Sequence, residues 1–555
     1  MPAMITISAL SLMAALAQAA PCESLSTLSL PNTTVTSAAL VPAGPYTAPA
    51  PGGPPGGPVV APAGGGRGDG AAPAGRGGGR GDGAAPAGRG GGRGDGAAPA
   101  GRGGGRGGAP AAAAGPMLPA HCRVAATLRP SPDSVIDIEV WMPAGDAWNG
   151  KFQAVGNGGW AGTISYAAMA TAVQEGYATA STDTGHKGGN ALFAIDHPEK
   201  LTDFAYRAVH EMTVQAKAII TNFYERGPRL SYWNGCSTGG RQGLMAAQRY
   251  PEDFDAILAG APANYQTHLH AWDLAVSTPV LKDPAAAVPA AKLEMVTRAV
   301  INACDARDGV TDGLLNDPTK CTFDVASLQC KGGDAESCLT APQVAAMKRV
   351  YEPVRTKSEQ VVFPGKVPGA ESGFGAYVGG QNAPAISVGS FQVAYNDPKW
   401  DWKTFDLERD LPLVDQKVGA IVNAVDADLR KFKARGGKLL MYHGWNDTAI
   451  SPGNAIDYYT SVQKRMGGKQ DDFIRLFMAP GMNHCGGGPG PNQVNWMAAL
   501  ERWREGGTAP ASIDAVRIAN NRVEMSRPLC PYPQVAVYSG KGTTNDARNF
   551  SCKNP

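Results

Sequence analysis

The sequence has little of what marks membrane, zinc-binding and nucleic-acid-binding proteins. After the N-terminus no apolar run reaches about 20 residues, which excludes a protein with several membrane spans. None of the cysteines stands in a C-x-x-C pair, so zinc or thioredoxin-type chemistry is not expected. The 50 basic and 48 acidic residues leave a net charge of only +2. This balance gives no electrostatic reason to expect nucleic acid as a partner.

The N-terminus and the cysteines indicate export. Residues 4–17 are apolar or small and Ala17-Gln18-Ala19 offers an A-x-A cleavage site, although no Lys or Arg precedes them. We therefore predict a secretory signal over residues 1–19 and a secreted or periplasmic protein; a short buried helix is the alternative. Ten unclustered cysteines then predict about five disulfides in an oxidising space.

Much of the glycine and proline lies before residue 118. The chain has 72 Gly and 44 Pro, and residues 42–117 contain almost no large apolar residue. An arginine recurs there every 13 residues, at Arg67, Arg80, Arg93 and Arg106. Too little apolar surface is available to offset the entropy of ordering, so we predict a disordered segment after an N-terminal strap at 20–41. The Arg-Gly-Asp triplets in the repeat could suggest adhesion, but a drifting tandem repeat accounts for them more simply.

From residue 135 onward strand-like and helix-like stretches alternate, which is typical of a mostly parallel sheet with helices on both faces. The predicted strands are 135–142, 152–155, 177–183, 230–234, 254–258, 438–443 and 473–478. Roughly 180 residues separate the fifth strand from the sixth, far more than one crossover helix needs. We therefore predict an α/β core in two parts, 118–263 and 431–555, with an inserted lid domain at 264–430.

The segment Gly235-Cys236-Ser237-Thr238-Gly239 has the G-x-S-x-G pattern of a nucleophile elbow. Small residues let the chain turn sharply from strand to helix and expose the serine hydroxyl. A plain glycine-rich turn is the alternative, but a predicted strand precedes this pattern and a helical stretch follows it. Ser237 is therefore the predicted nucleophile. The amide of Thr238 and a second amide from the glycine loop at 156–162, which is otherwise a tight turn, are the predicted oxyanion donors.

A serine nucleophile needs a base, and the base needs an acid to orient it. His484 and Asp447 each come just after a predicted strand, and Ser237, Asp447 and His484 stand in the chain order that goes with such an elbow. They are the predicted catalytic triad. The weaker candidates are His186, His443, which lies inside an apolar strand and is interpreted as structural, and Asp457, which falls in a helical stretch.

Together these motifs resemble the tannase and feruloyl esterase family of secreted α/β-hydrolases, which includes mono(2-hydroxyethyl) terephthalate hydrolase. The resemblance runs from about residue 118 to the C-terminus. The matching motifs are Trp148-Asn149-Gly150, the glycine loop, Gly235-Cys236-Ser237, Gly260-Ala261-Pro262, Gly481-Met482-Asn483-His484-Cys485 and Arg527-Pro528-Leu529-Cys530-Pro531-Tyr532-Pro533. The resemblance implies an α/β-hydrolase fold and places the second oxyanion donor at Gly159. It also implies the disulfides Cys236–Cys485, Cys304–Cys321, Cys330–Cys338 and Cys530–Cys552, with Cys22–Cys122 as the remaining pair.

An acidic loop in the lid is a candidate calcium site. Asp305, Asp308 and Asp312 fall within eight residues, separated by turn-forming glycine. Crowded oxygen ligands in a flexible loop suit Ca²⁺, although the spacing is not that of an EF-hand and a plain Asp-Gly turn is the alternative. The family resemblance implies a structural calcium in the lid, with the ligands Asp305, Asp308, Val310, Asp312 and Leu314.

The expected function is hydrolysis of a small aromatic carboxylic ester, of the feruloyl or galloyl type, through an acyl-enzyme on Ser237. A terephthalate monoester is the alternative substrate, although Thr238 stands where the terephthalate enzyme has Glu. A catalytically silent binding protein on a hydrolase scaffold and an adhesion protein built on the repeat are the alternatives of other classes. Neither a membrane nor a protein partner is implied. The lid aromatics that could contact the acyl group, or form the lid core, are Phe374, Tyr377, Phe391, Tyr395, Trp400 and Trp402.

Overall fold

The computed structural model describes residues 20–47 and 116–554. The predicted signal at 1–19 and the 13-residue repeats lie outside these residues, so both stay predictions. The described residues up to Gly44 and from Met117 onward form one compact unit.

A nine-stranded sheet forms the centre of this unit. In chain order the strands are β1 (Thr33–Val41), β2 (His121–Leu128), β3 (Ile136–Pro143), β4 (Lys151–Val155), β5 (Ala178–Thr182), β6 (Leu230–Cys236), β7 (Ala256–Gly260), β8 (Lys438–Gly444) and β9 (Ile474–Ala479). Their order in the sheet is β1-β2-β3-β5-β4-β6-β7-β8-β9. The pairs β1–β2, β2–β3 and β3–β5 are antiparallel. The remaining pairs, β5–β4, β4–β6, β6–β7, β7–β8 and β8–β9, are parallel. The predicted mostly parallel sheet is confirmed, with all seven predicted strands within two residues of their observed ends.

Helices cover both faces of the sheet because successive strand residues point to opposite sides. The helices outside the long insertion include α1 (Tyr166–Gln174), α2 (Ala208–Tyr224), α3 (Thr238–Arg249), α9 (Pro452–Arg465) and α10 (Trp496–Gly506). On one face Trp233 and Met441 share a core with residues of α2, α3 and α9. On the other face their neighbours Tyr232 and Leu440 share a core with residues of α1 and α10. The sheet therefore has a buried layer on each side, as an α/β-hydrolase fold requires.

The chain between β7 and β8 forms the insertion that the sequence predicts as a lid at 264–430. It contains α4 (Gln266–Lys282), α5 (Ala290–Cys304), α6 (Ala341–Tyr351), α7 (Ala385–Tyr395) and α8 (Leu407–Val414), and a two-stranded ribbon of Val354–Arg355 with Val361–Phe363. Its apolar side chains form a third core, which Trp160 and Phe204 of the hydrolase part also join. The insertion thus packs against the hydrolase part as well as on itself.

Five disulfides cross-link the described residues, and their pairing is the one that the resemblance implies. They are Cys22–Cys122, Cys236–Cys485, Cys304–Cys321, Cys330–Cys338 and Cys530–Cys552. The first joins the short helical turn Cys22–Thr27 to β2, so the N-terminal strap is bound covalently to the sheet. None of the helices in the described ranges has the length and hydropathy needed to cross a bilayer.

Candidate active site

Ser237 lies at the sharp turn between β6 and α3. Its backbone angles are φ 63° and ψ −123°, in a region that non-glycine residues rarely occupy. Strained conformations of this kind persist where the surroundings fix them and are concentrated at functional sites. The turn is fixed by the Ser237 amide, which donates to the Gly260 carbonyl at 3.0 Å. It also needs glycine before the serine, because a Cβ at Gly235 would lie 2.4 Å from the Gly239 carbonyl oxygen.

Asp447 and His484 meet at the ends of neighbouring parallel strands. Asp447 follows β8, His484 follows β9, and the His484 Nδ1 atom lies 2.7 Å from Asp447 Oδ2. Burial alone would raise the pKa of the Asp447 carboxyl, but the charge of His484 and the hydrogen bonds from His443 and His484 hold that pKa well below its usual range. The carboxyl is therefore anionic, and the Nε2 atom of His484 is the ring nitrogen left for a serine.

The Asp447 carboxylate has partners on both oxygens. The amides of Ala449 and Ile450 each donate to Oδ1 at 2.8 Å. His443 lies beneath the carboxylate, fully buried, with its Nε2 atom 3.0 Å from Oδ2. The sequence interpretation treated His443 only as a buried strand residue and missed this contact. Its position four residues before the acid was the available signal.

The other candidates for base and acid lie elsewhere. The Nε2 atom of His186 bonds to the Trp160 carbonyl at 2.8 Å, and Asp457 is exposed on α9. Neither has a hydrogen bond to a member of the predicted triad among the contacts of the described residues.

A disulfide joins the residues next to the predicted nucleophile and base. Cys236 and Cys485 are bonded with their Cα atoms 5.9 Å apart. Ser237 is the next residue after Cys236, and His484 is the residue before Cys485. Two loops that are 249 residues apart along the chain are therefore joined at the residues beside the predicted catalytic pair.

The glycine loop is fastened to the first turn of α3. The Thr238 hydroxyl donates to the Gly159 carbonyl at 2.9 Å, and the Gly239 amide donates to the Asn157 carbonyl at 2.8 Å. Gln242 adds two contacts of 3.1 Å to Asn157, one to its amide and one to its side chain. The loop and the elbow thus form one hydrogen-bonded unit, which keeps the backbone of Gly159 and Thr238 in fixed relation.

An exposed apolar side chain from the lid stands over the glycine loop. The Cδ1 atom of Ile386 lies 3.4 Å from where a Cβ at Gly159 would be, and its carbonyl accepts from Trp160 Nε1 at 2.9 Å. Although large and apolar, Ile386 is 46% exposed, and Leu192 on the neighbouring turn Ala191–Ala194 is 40% exposed. The sequence interpretation did not name either residue.

The lid aromatics named from the sequence lie mainly in the lid core. Phe374, Tyr377, Phe391 and Trp400 are buried. Trp400 stacks on both Phe391 and Tyr395. Of the two interpretations of this set, the structure favours the lid core.

The carboxylates of the acidic loop accept hydrogen bonds from backbone amides of the same loop. The Asp305 carboxylate accepts from the amides of Asp312 and Gly313, and the Asp308 carboxylate accepts from those of Val310 and Asn316. The Asp312 carboxylate accepts from the Leu314 amide and from the guanidinium of the buried Arg527. Across residues 20–47 and 116–554, no cluster of three or more His, Cys, Asp or Glu side chains has the arrangement of a metal site.

Comparison with known proteins identifies relatives over most of the chain. The sequence profile of the tannase and feruloyl esterase family matches residues 122–553. An uncharacterized esterase of Xanthomonas campestris is 36% identical over 490 residues, covering 78% of this chain and 84% of the relative. "Probable feruloyl esterase B-2" of Aspergillus terreus is 35% identical over 455 residues, covering 78% and 86%.

Solved structures agree with these sequence relatives. Feruloyl esterase B from Aspergillus oryzae superposes with a TM-score of 0.81 at 28% identity, over 96% of this chain and 99% of that one. Tannin acyl hydrolase from Aspergillus niger has a TM-score of 0.67 at 22% identity, over 79% and 87%. The second of these likenesses concerns the fold alone.

Proposed function

The chain belongs to the tannase and feruloyl esterase family, and from this premise we propose that it is a secreted serine esterase that forms an acyl-enzyme on Ser237. That it is a carboxylic ester hydrolase of this type follows from the family and from the named esterases among its relatives. The observation that carries the serine mechanism is the Cys236–Cys485 bond, because it holds the neighbours of Ser237 and His484 together.

In the proposed mechanism His484 takes the Ser237 proton through Nε2 as the hydroxyl oxygen attacks the ester carbonyl. The anionic Asp447 stabilises the imidazolium and fixes the tautomer through Nδ1. The alcohol then leaves with the proton from His484, and the acyl group stays on Ser237. A water molecule activated by His484 next attacks the acyl-enzyme and releases the acid.

The amides of Thr238 and Gly159 are the proposed donors to the oxyanion. Thr238 is the first residue of α3, where backbone amides have no acceptor within the helix. The Thr238 hydroxyl bond to the Gly159 carbonyl ties the two residues together, which supports a shared role. Donors fixed in advance of the reaction stabilise the developing charge without reorganisation.

The proposed substrate class is an ester of an aromatic acid, of the feruloyl type before the galloyl type. Its first support is that the feruloyl esterases from Aspergillus are more similar to this chain than the tannin acyl hydrolase from Aspergillus niger is. A second support is Ile386, an apolar side chain exposed over Gly159, where it could lie against the ring of an acyl group.

The mechanism is tested with three variants. Ser237→Ala, His484→Ala and Asp447→Asn should each lower kcat/KM by roughly 10⁴-fold or more while the melting temperature changes little. Trapping of the acyl-enzyme in the wild type, seen by intact-protein mass spectrometry, should disappear in Ser237→Ala. Near-normal turnover by Asp447→Asn would show that the acid is misassigned.

The substrate class is tested with methyl ferulate, methyl gallate and a terephthalate monoester, compared by kcat/KM. Preference for the terephthalate monoester would support the alternative substrate, and no turnover of any ester would support a silent binding protein. A variant that lacks residues 48–115 tests the adhesion alternative, in which the repeat carries the function. We expect this variant to keep full esterase activity.

We also propose a structural Ca²⁺ bound by Asp305, Asp308 and Asp312 with the carbonyls of Val310 and Leu314. The chemistry of this donor set fits, because three carboxylates and two carbonyls within ten residues are hard oxygen ligands. A bound ion would neutralise the loop and tie the start of the lid together, without taking part in the reaction. The five disulfides support export to an oxidising compartment.

A further inference from the structure

The turn that carries the proposed triad acid is hydrogen-bonded to the lid. We call residues 447–450 the acid turn and residues 365–377 the lid strap. The amides of Ala449 and Ile450 in the acid turn donate to the Asp447 carboxylate, and the carbonyls of the turn need other donors. The Ile450 carbonyl is 3.2 Å from His443 Nε2. The carbonyls of Thr448 and Ala449 are bound by the lid strap.

Two side chains of the lid strap supply these donors. The Tyr377 hydroxyl donates to the Thr448 carbonyl at 2.7 Å and also lies 3.2 Å from the Ala449 carbonyl, to which Lys366 Nζ donates at 3.1 Å. The strap backbone is close as well, since a Cβ at Gly373 would lie 2.7 Å from Thr448 Cγ2. The amide of Ala449 donates to the Asp447 carboxylate, and the carbonyl of Ala449 accepts from Lys366. Ala449 therefore connects the lysine to the acid.

Lys366 is itself an unusual residue in this position. It is buried, with its ammonium 4.8 Å from the Trp272 ring centroid and 5.3 Å from that of Tyr377. Burial lowers the pKa of Lys366 to about 8, against the attraction of Asp273 and Asp447. The side chain is thus cationic below that pH, and the two carboxylates that attract it lie on α4 and in the acid turn.

We propose that Lys366 is a positioning residue for the catalytic acid, which holds the acid turn through the Ala449 carbonyl and places a cation beside Asp447. The inference rests on the proposed function, because it gives Asp447 the role of triad acid. It also makes the lid part of the machinery that fixes the triad, and not only a cover over the substrate.

The proposal predicts two separable effects of Lys366→Met. Loss of the bond to Ala449 should loosen the acid turn and lower kcat/KM by about 10- to 100-fold, since small displacements of a catalytic group are costly. Loss of the positive charge should favour the protonated base, so the acid limb of the pH profile of kcat/KM should move to higher pH by about half a unit or more. The other titratable groups that face Asp447 or Lys366 are His443, His484, Asp273, Tyr377 and Tyr442, and all are unchanged in this variant.

Three control variants separate position from charge. Lys366→Arg keeps the charge and should keep the acid limb in place, even if the rate falls. Tyr377→Phe removes a neutral donor to the same turn and should lower kcat/KM by less than about tenfold without moving the limb. Lys292→Met removes another buried lid lysine, which is bound to Asp334 and Gln343, and should lower only the melting temperature.

The experiment measures kcat/KM from pH 5 to 9 on the full chain with one activated aromatic ester, together with the melting temperature. The proposal is overturned if Lys366→Met keeps its rate and its acid limb, or if its loss of rate simply follows a loss of stability as in Lys292→Met. If Lys366→Met does not fold, Lys366→Gln is compared with Lys366→Arg by the same two readouts, and equal acid limbs in the two would overturn it. Absence of turnover in the wild type would instead contradict the proposed function.

Discussion

The Asp447 carboxylate shows what a buried charge requires. Its side chain is inaccessible to solvent, yet two amides and two histidines contact its oxygens. Burial of an ion without such partners costs several kcal/mol or shifts the group to its neutral form. The number of donors therefore explains why this acid can stay anionic, as the proposed mechanism requires.

A second buried histidine should make stability depend on pH. His270 in the lid is buried, with Nδ1 2.7 Å from the Ser390 hydroxyl, and burial lowers the pKa of His270 to about 3. The unfolded chain then takes up a proton between about pH 6.5 and 3 that the folded chain does not. Stability should fall as pH falls through this window, by up to about 1.4 kcal/mol per pH unit. The free energy of unfolding of His270→Gln, measured with urea at pH 7, 6, 5 and 4, should therefore depend less steeply on pH than that of the wild type. The difference in slope should correspond to about one proton.

His210 provides the matched control. Burial opposes its protonation, but the hydrogen bond to Asp253 at 2.9 Å raises its pKa overall. Its contribution to stability is present at low pH and is lost as pH rises above about 6.5. His210→Gln should therefore leave the slope below pH 6 unchanged. If it changed that slope as much as His270→Gln does, the assignment to His270 would be wrong.

The predicted triad was named from the sequence because each member follows its own predicted strand. The carboxyl ends of parallel strands lie at the same edge of a sheet, so Ser237, Asp447 and His484 are expected near that edge. The contact between Asp447 and His484 agrees with this expectation. The contacts of Lys366 and Ile386 could not be predicted in this way. They depend on how the inserted lid packs on the core, which no local pattern in the sequence specifies.

The elbow and its helix fit together only because α3 approaches β7 very closely. A Cβ at Gly240 would lie 2.4 Å from the Gly260 carbonyl and 2.9 Å from Pro262 Cα, and both atoms belong to the backbone. Gly240→Ala should therefore force α3 outward and lower the free energy of unfolding by about 1–3 kcal/mol. Because α3 begins at the residue after Ser237, kcat/KM should fall as well. Urea unfolding and ester turnover measure the two effects.

A glycine with free space is the control for this substitution. Gly506 lies at the end of α10 with nothing within 4 Å of a Cβ, so Gly506→Ala should be neutral or stabilising by up to about 1 kcal/mol. Equal stability of the Gly240→Ala and Gly506→Ala variants would show that the contact between α3 and β7 can relax.

The acidic loop should confer sensitivity to chelators if it holds calcium. A ligand that binds only the folded state stabilises by about 2.7 kcal/mol at 100 times its Kd, so EDTA should lower the melting temperature and Ca²⁺ should restore it. Turnover well below the melting temperature should persist, because the proposed ion is structural. Asp308→Asn should abolish the EDTA effect, whereas Asp317→Asn, at the cap of the turn Pro318–Lys320, should retain it. Metal analysis of purified protein that finds no calcium would contradict the site.

Elements with a clear periodic pattern were the ones that the sequence predicted. The strands β7, β8 and β9 are short, mostly apolar and almost wholly buried, as in a parallel sheet covered on both faces. The sequence interpretation did not name β1 and β2 as strands. β1 is an edge strand with many exposed residues, and its place beside β2 depends on pairing with a distant part of the chain.

The compact unit combines the hydrolase part and the lid, so residues of both parts lie at the proposed site. Trp160 and Phe204 of the hydrolase part join the lid core, and Ile386 of the lid covers the glycine loop. Arg241, four residues after Ser237, is fully buried and donates to carbonyls of both parts, at Ala205 and Val422. Movement of the lid as a whole would break these contacts, so substrate should enter without separation of the two parts.

The Cys236–Cys485 bond is the longest covalent constraint in the described chain. It closes a loop of 249 residues, which could stabilise the fold by roughly 5 kcal/mol through the unfolded state in the chain-entropy model. Because it joins the neighbours of Ser237 and His484, we expect its larger effect on geometry, where an error of about 1 Å can cost on the order of 100-fold in rate. The double variant Cys236→Ala/Cys485→Ala should therefore lose kcat/KM, measured well below its melting temperature, by about that factor.

The variant Cys530→Ala/Cys552→Ala separates this geometric effect from a loss of stability. That disulfide closes only 22 residues, between Cys530 and Cys552 in the C-terminal strand Phe550–Lys553, and neither cysteine is next to a residue of the predicted triad. Its removal should lower the melting temperature and leave kcat/KM nearly unchanged at low temperature. If the two double variants lost activity only in proportion to their melting temperatures, the Cys236–Cys485 bond would be a stabilising cross-link and no more. Peptide mapping of the wild type under non-reducing conditions should show Cys236 bonded to Cys485. A free thiol at either cysteine would contradict this prediction.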